Sequence, residues 1–217
     1  MSSKPSISVI IPTLNRSLAL QKTVNCLLKS TVKDFECIIV DQTPGAADND
    51  PRLIDSRIKY IHQSKASLPL ARNRGVKLSQ ADIILFLDDD IEFGSNLLYE
   101  HICAHVRSST AAAVTGRIKL LPPHFYTGGD ILAKVEPKSA KFVVNFDQDK
   151  RQESDFISGG NVSVKREVFS EVGFFDRMYK GNALYEEIDM SMRIRRAGKT
   201  ILFHPTAEIT HLRAEEG

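Results

Sequence analysis

No stretch of this sequence approaches the roughly 20 apolar residues that a membrane-spanning helix requires, so no transmembrane segment is expected. Cysteine is scarce: Cys26, Cys37 and Cys103 leave one over if two pair, and their spacing is not that of metal ligands. Cys26 falls in an apolar helical stripe and Cys37 in a strand pattern, so buried, reduced thiols are expected, which favours the cytoplasm. An excess of one charge is lacking too. The 29 Lys and Arg against 27 Asp and Glu leave a net charge of +2, short of the basic surface that non-specific nucleic-acid binding needs. Nucleic acid is therefore not an expected partner. Met1 to Pro5 lead straight into a strand pattern without the apolar core of a signal peptide. Finally, the first strand-to-helix turn, Pro12-Thr13-Leu14-Asn15-Arg16, contains no glycine. A dinucleotide-binding turn brings its backbone amides close to a pyrophosphate through glycines, so a diphosphate bound here must be neutralised some other way.

What the sequence does contain is a strand–helix rhythm. Residues 6–12 are apolar enough for a strand buried on both faces. Ser17 is placed to cap a helix whose stripe is Leu20, Val24, Leu27 and Leu28. Phe35 to Val40 and Arg57 to His62 read as strands, with turn-rich residues 42–50 between them. Ser67 is placed to cap a helix over Leu68 to Leu78, with Pro69 tolerated in its first turn. Asp82 to Leu87 is a fourth strand and Leu97 to Arg107 a helix, followed by a strand over Ala112 to Leu120. Residues 121–157 lose the rhythm and suggest a loop or hairpin excursion, with Pro122-Pro123, Gly128-Gly129 and Pro137 among them. Helices from about Lys165 to Val172 and from Glu186 to Ala197 follow, then two short strands, Thr200 to Phe203 and Ala207 to Leu212. The fold class is α/β: an open, mostly parallel sheet flanked by helices. In such sheets ligands bind beyond the carboxyl ends of the strands, where Asp41 and Asp88 to Asp90 both fall.

The aspartate triplet supplies the missing neutralisation. Carboxylate oxygens suit Mg²⁺ or Mn²⁺, and a cation held by them binds phosphate oxygens on its far side. Continued strand geometry points Asp88 and Asp90 to one side and Asp89 to the other. Acidic runs are commonly solvated turns, but a buried strand leading directly into this one favours a site. Glu186, Glu187 and Asp189 open a helix; the macrodipole alone would explain them, and a general base acting on an acceptor hydroxyl is the functional alternative. His211 shares a strand face with Ala207 and Ile209, where a core histidine is commoner than a ligand. Arg72, Asn73 and Arg74 occupy one turn, where guanidinium contacts to a base or phosphate compete with an ordinary basic helix face. Gly159-Gly160-Asn161, expected before a helix, permits close backbone approach to a ligand or simply a tight turn.

Four segments, VIIPTLNR (Val9 to Arg16), IIVD (Ile38 to Asp41), ARNRG with FLDDD (Ala71 to Gly75, Phe86 to Asp90) and Ser158 to Leu212, match in order the inverting family 2 glycosyltransferases, which the chain resembles over almost its whole length outside 121–157. The resemblance implies the GT-A fold, a single domain over 1–217. Its Rossmann-like nucleotide-sugar half covers about 1–107 and its acceptor-binding, catalytic half about 108–217. It implies transfer of a hexosyl or deoxyhexosyl group from a nucleoside-diphosphate sugar to an acceptor hydroxyl, assisted by a divalent cation, Mn²⁺ or Mg²⁺. Asp41 resembles the residue that bonds the nucleotide base, with Thr13 and Arg72 as further base contacts. Pro12, Asn15, Arg16, Arg74 and Asp89 belong to the same nucleotide-sugar surface. Asp88 and Asp90 match the family's D-x-D, Asp88 nearer the ribose and Asp90 on the metal; His211 matches a histidine that completes the metal or diphosphate site. Glu187 stands where the family's presumed base stands, as Glu rather than Asp, leaving Glu186 and Asp189 as rivals. Gly159, Gly160 and Asn161 form the loop at the donor sugar and acceptor.

The expected acceptor is a carbohydrate or a lipid-linked carrier, the latter bringing the chain to the inner face of a membrane. Leu14 replaces the aromatic residue that often follows Pro-Thr in the family, and family members usually continue beyond Leu212, so a truncated chain or a minimal domain is expected. A nucleotidyltransferase shares the sheet and acidic site but usually has a glycine-rich, basic first turn. An inactive nucleotide- or glycan-binding module is the non-enzymatic alternative.

Overall fold

A computed structural model describes residues 4–46, 54–121, 131–136, 141–180, 183 and 185–212. Its chain order is β1 (Ile7–Thr13), α1 (Ser17–Leu28), β2 (Phe35–Asp41), β3 (Ile58–His62), α2 (Leu68–Leu78), β4 (Ile83–Leu87), β5 (Ile91–Phe93), α3 (Leu97–Arg107) and β6 (Ala111–Leu120). Then come β7 (Ala133–Glu136), β8 (Lys141–Val144), β9 (Gln152–Glu153), β10 (Asn161–Lys165), α4 (Arg166–Val172), α5 (Glu186–Arg196) and β11 (Thr200–His211). One nine-stranded sheet runs β3-β2-β1-β4-β10-β6-β11-β5, with β9 beside β11, and β7 and β8 form a separate hairpin. The β1–β2, β2–β3, β1–β4 and β6–β11 pairs are parallel, whereas β10 runs antiparallel to both β4 and β6.

Strand alternation sorts the two cores. Ile7, Val9, Ile11, Leu85 and Leu87 face α1 and α3, through Leu20, Val24, Leu27, Leu97 and Leu98. Ile10, Ile84 and Phe86 face α2, α4 and α5, through Val76, Val168, Phe169, Met190 and Ile194. Every residue of β1 is buried, as the apolar run requires of a strand covered on both faces. Gly75 of α2 lies flat on β1: a methyl there would stand 2.4 Å from Ile10 Cγ2.

The order of these strands fixes where a ligand can sit. From β1 the chain moves outward to β2 and β3, then returns through α2 to β4 on the other side of β1. The order reverses between β1 and β4, and the crevice at such a switch point is where open α/β sheets bind ligands. The turn after β1 and the triplet after β4 meet there.

Several expectations needed correction. Ser17 is the first residue of α1 rather than its cap; Arg16 holds the cap position without a side-chain bond. Ser67 does cap α2 by position, but its side chain makes no capping bond, and its N–H is taken by Gln42 Oε1 at 2.6 Å. Gly159-Gly160-Asn161 precedes β10, not a helix. The two expected C-terminal strands are one, β11, with a register shift between His204 and Glu208; Pro205 lies in that interval, where a missing N–H is tolerated. The three residues of β5 follow the aspartates directly and pair antiparallel with β11. In the excursion, β7 and β8 make the hairpin, while Pro122-Pro123, Gly128-Gly129, Pro137 and part of the turn-rich 42–50 segment lie outside the described residues.

Candidate active site

The first turn manages without glycine because Asn15 takes the left-handed conformation, φ 57°, which short polar side chains tolerate best after glycine. Its N–H donates to Thr43 Oγ1 at 2.8 Å. Beyond it lies a cavity of about 360 Å³ whose walls include Pro12, Thr13, Arg16, Gln42, Asp88 and Asp89. Thr13 is paired in register with Asp41 of β2. The Asp41 carboxylate accepts from the Thr43 N–H at 2.7 Å and from the Tyr60 hydroxyl, which fixes the end of β2.

β4 ends at Leu87, and beyond it the three aspartates take different partners, with Arg16 Nη1 lying between Asp89 and Asp90, 3.2 Å from Asp90 Oδ2. Asp89 turns inward, accepting from Thr13 Oγ1 at 2.6 Å and lying 3.3 Å from Arg16 Nη1. Burial pushes its pKa up to about 6, with Asp90 and Asp88 adding and the Thr13 bond and Arg16 opposing. His211 Nε2 stands 3.3 Å from Asp88 and 3.4 Å from Asp90. Ligand atoms of these three residues all lie within 4.8 Å of one another. Burial opposes the Asp88 charge, but the His211 hydrogen bond and the fields of Arg72, His211 and Arg16 outweigh it and hold the carboxyl below its usual range. For His211, burial opposes the proton and the two carboxylates outweigh burial, raising its pKa. This donor set of two carboxylates and one imidazole is compatible with a divalent ion.

Thr23, buried in α1, staples the triplet from below. Its hydroxyl lies 2.9 Å from the carbonyls of Asp89 and Ile91 and accepts from the Ile91 N–H at 3.1 Å. Across the triplet, the 159–160 backbone comes so close that side chains are excluded. A methyl at Gly160 would stand 2.3 Å from Asp88 Oδ2, and one at Gly159 would stand 2.1 Å from both Arg72 Nη2 and Glu187 Oε1.

The three acids opening α5 separate by environment. Glu186 is wholly buried and paired with the Arg72 guanidinium. Glu187 is one-third exposed; its Oε1 accepts from Arg72 at 3.2 Å and from the Gly159 N–H at 3.0 Å. Asp189 faces another way, toward Arg193 at 2.7 Å. Only Glu187 of the three lines a cavity of about 440 Å³ that also touches Asp88, Gly160 and His211. The rest of that wall is largely apolar, including Ile118, Phe142, Phe156, Tyr185 and Ile188. Tyr185 caps α5 from the left-handed region at φ 74°, backbone strain of the sort that collects at functional sites.

Of the three arginines expected on the nucleotide-sugar surface, Arg16 lines the cavity beyond the first turn, whereas Arg72 and Arg74 are engaged by other parts of the protein. Arg72, 2% exposed, spends its guanidinium on Glu186 and Glu187, because a buried charge needs opposite charge beside it. Arg74 donates Nη1 to the His62 carbonyl at 2.6 Å and lines a separate groove.

Asn161, the third residue of the loop motif, points away from the cavity and anchors β10. Its Nδ2 donates to the Ala207 and Arg117 carbonyls at 2.8 and 3.1 Å, so its Oδ1 must accept from His101 Nε2 at 2.9 Å. His101 Nδ1 then accepts from the Ser163 hydroxyl at 2.8 Å, and His105 Nε2–H donates to the same oxygen at 2.9 Å. Each ring is a neutral Nε2–H tautomer. Burial leads in lowering their pKa values, to about 3 for His101 and about 4 for His105. The sequence reading missed this network, Thr23 and Gln42. The one available signal was a pair of histidines four apart on a helix otherwise rich in apolar residues.

The sequence from residue 8 to residue 173 matches the family model "Glycosyl transferase family 2". The chain belongs to that family. Among its relatives, it is 32% identical over 121 residues to a validoxylamine A glucosyltransferase of Streptomyces hygroscopicus subsp. jinggangensis, covering 52% of this chain and 28% of that protein. It is 28% identical over 182 residues to the glycosyltransferase GlyG of Streptococcus pneumoniae, covering 77% of this chain and 59% of that one. The chain thus spans from about a quarter to three-fifths of the length of these relatives. The structure of GalNAc-T7 with UDP, GalNAc and Mn²⁺ superposes with a TM-score of 0.75 at 19% identity, over 98% of this chain and 44% of that one. That likeness is one of fold: this family 2 chain has the GT-A architecture.

Proposed function

We propose that this domain transfers a sugar, with inversion, from a nucleoside-diphosphate donor to an acceptor hydroxyl. The observation that carries the reading is the meeting of Asp88, Asp90 and His211 with Glu187 around one cavity at the sheet's switch point. Asp88, Asp90 and His211 are the residues to hold Mn²⁺ or Mg²⁺, which when bound offsets the charge that develops on the departing diphosphate. The nucleoside lies over Pro12, Thr13 and Arg16, with Asp41 at the edge of that surface. Glu187 takes the proton of the attacking hydroxyl. Its Oε1 is held by Arg72 and the Gly159 N–H, which orients the carboxylate before the acceptor arrives. Glu186 neutralises Arg72 from behind and does not reach the cavity. Inversion follows from a base on the face opposite the leaving group.

The acceptor's chemistry is suggested by the wall beside Glu187. Phe142, Phe156, Ile118 and Ile188 offer apolar surface and few hydrogen bonds, which suits an acceptor with an apolar face near its hydroxyl, as on a lipid-linked or aromatic carrier, better than one polar all round. The test is a mass-spectrometric screen of nucleotide sugars against carbohydrate and lipid-linked acceptors, with wild type and Glu187→Gln side by side. Loss of the base is expected to lower transfer about 10²- to 10⁴-fold while donor affinity is kept. Wild-type turnover by Glu187→Gln would contradict the assignment.

A further inference from the structure

A second, separate groove of about 1040 Å³ lies between α2 and the segment 174–177, on the other side of α5 from the acceptor cavity. Glu187 and Ile188 line the cavity, whereas Asp189 and Arg193 line the groove. Its rim is basic. Lys65, Arg74, Lys77 and Arg177 face it, and none of them has a carboxylate within 4 Å among the described residues. The acids present are otherwise engaged. Asp189 pairs with Arg193 at 2.7 Å, and Asp176 accepts from the Met178 N–H at 2.9 Å.

Two further observations narrow what fits. Apolar surface lies beside the bases: Phe174 in the groove is 40% exposed, with the Lys77 ammonium 5.6 Å over its ring, and Met178, the residue after Arg177, is 79% exposed. Gln63, 5% exposed, lines the same groove; its Nε2 donates to the Lys65 carbonyl at 2.8 Å, and its Oε1 has no hydrogen-bond partner among the described residues. Bases for phosphate, an acceptor for a hydroxyl and exposed apolar tips are together the chemistry of a phospholipid interface.

We propose that this groove docks the chain on an anionic phospholipid bilayer. Lys65, Arg74, Lys77 and Arg177 take headgroup phosphates, Gln63 takes a headgroup hydroxyl, and Phe174 and Met178 enter the interface. Because groove and acceptor cavity share α5, docking brings the bilayer to within about one helix diameter, roughly 10–12 Å, of that cavity. The docking does not depend on which sugar or acceptor the domain uses.

The experiment is co-sedimentation of the protein with phosphatidylcholine vesicles and with vesicles that also contain phosphatidylglycerol, comparing wild type, Lys77→Gln/Arg177→Gln, Met178→Ser and Lys29→Gln. Wild type is expected to bind only the anionic vesicles. Neutralising two bases should weaken that binding about 25-fold, at roughly fivefold per base, and Met178→Ser should weaken it as well. Lys29→Gln, at the end of α1 on the opposite face of the sheet, should bind as wild type does, and all variants should keep the wild-type melting temperature. Equal binding to both vesicle types, or wild-type binding by the Lys77/Arg177 variant, would overturn the proposal. So would binding of soluble glycerol phosphate at the groove without binding to vesicles.

Discussion

A methyl group added at Gly160 would stand 2.3 Å from Asp88 Oδ2, where ordinary contact begins near 3.4 Å. The 160 backbone is a fixed part of the approach to β10, and its φ lies outside the left-handed region, so alanine is allowed there conformationally. The strain therefore falls on the Asp88 carboxylate, the free end of a side chain that is one-third exposed. It must retreat by about 1 Å, and a misplacement of that size in a catalytic constellation costs on the order of 100-fold. The fold should lose little, within about 1 kcal/mol, because the displaced atoms are at the surface of the cavity. Gly160→Ala is thus expected to melt near the wild-type temperature, to bind Mn²⁺ and nucleoside diphosphate much more weakly, and to transfer sugar about 100-fold more slowly. Calorimetric titration, turnover and thermal unfolding on the same preparation separate the two effects. Wild-type Mn²⁺-dependent binding and turnover in Gly160→Ala would refute the reasoning that Asp88 is held in place by an absent side chain.

Two predictions concern the supports of the site. Glu186→Ala leaves the Arg72 guanidinium buried without its nearest carboxylate and should destabilise the domain by about 3–5 kcal/mol, read from chemical denaturation. A loss below about 1 kcal/mol would mean that Glu187 alone neutralises Arg72. The pair His101 and His105 is held neutral, with pKa values of about 3 and 4, below the ordinary value near 6.5. Folded pKa values lowered in this way give stability that is present above about pH 6.5 and is lost as pH falls toward the folded values. From pH 7.5 to 5.5 the loss should be about 1.4 kcal/mol for each ring, partly offset by Asp89 and His211, whose raised pKa values act in the opposite sense; denaturation of wild type and of His105→Gln at the two pH values isolates the His105 share. The same pH dependence in wild type and His105→Gln would show that the ring is not buried neutral.

The first half of the chain was legible because its signals are local. β1, β2 and β4 are near-continuous apolar runs, each ending at a residue of opposite character, and the switch point follows from their order. The alternation along β1 and β4 is what sorts the two cores. The second half was read less well, for physical reasons. Asn161-Val-Ser-Val-Lys165 alternates polar with apolar, which suggests a half-solvated segment, yet Asn161 and Ser163 are fully buried. Their polarity is satisfied by His101 and His105 from a helix about 60 residues away, and no local pattern announces such a partner. Pro205 likewise divides the sequence of β11 while the strand continues through a register shift. Arg72 shows the same limit in the site itself. Its place on α2 aims it at the carboxyl edge of the sheet, but the acids that claim it, Glu186 and Glu187, come from the far end of the chain.

The central claim is that Asp88, Asp90 and His211 form a cation site for a nucleoside diphosphate. Its most direct test is calorimetric titration of UDP, GDP and dTDP into wild type and Asp90→Ala, with and without Mn²⁺. One of the three nucleotides should bind wild type only when Mn²⁺ is present, and Asp90→Ala should lose that binding about 100-fold or more, since a buried carboxylate ligand has no substitute nearby. Metal-independent binding by wild type, or metal-dependent binding retained in Asp90→Ala, would contradict the account.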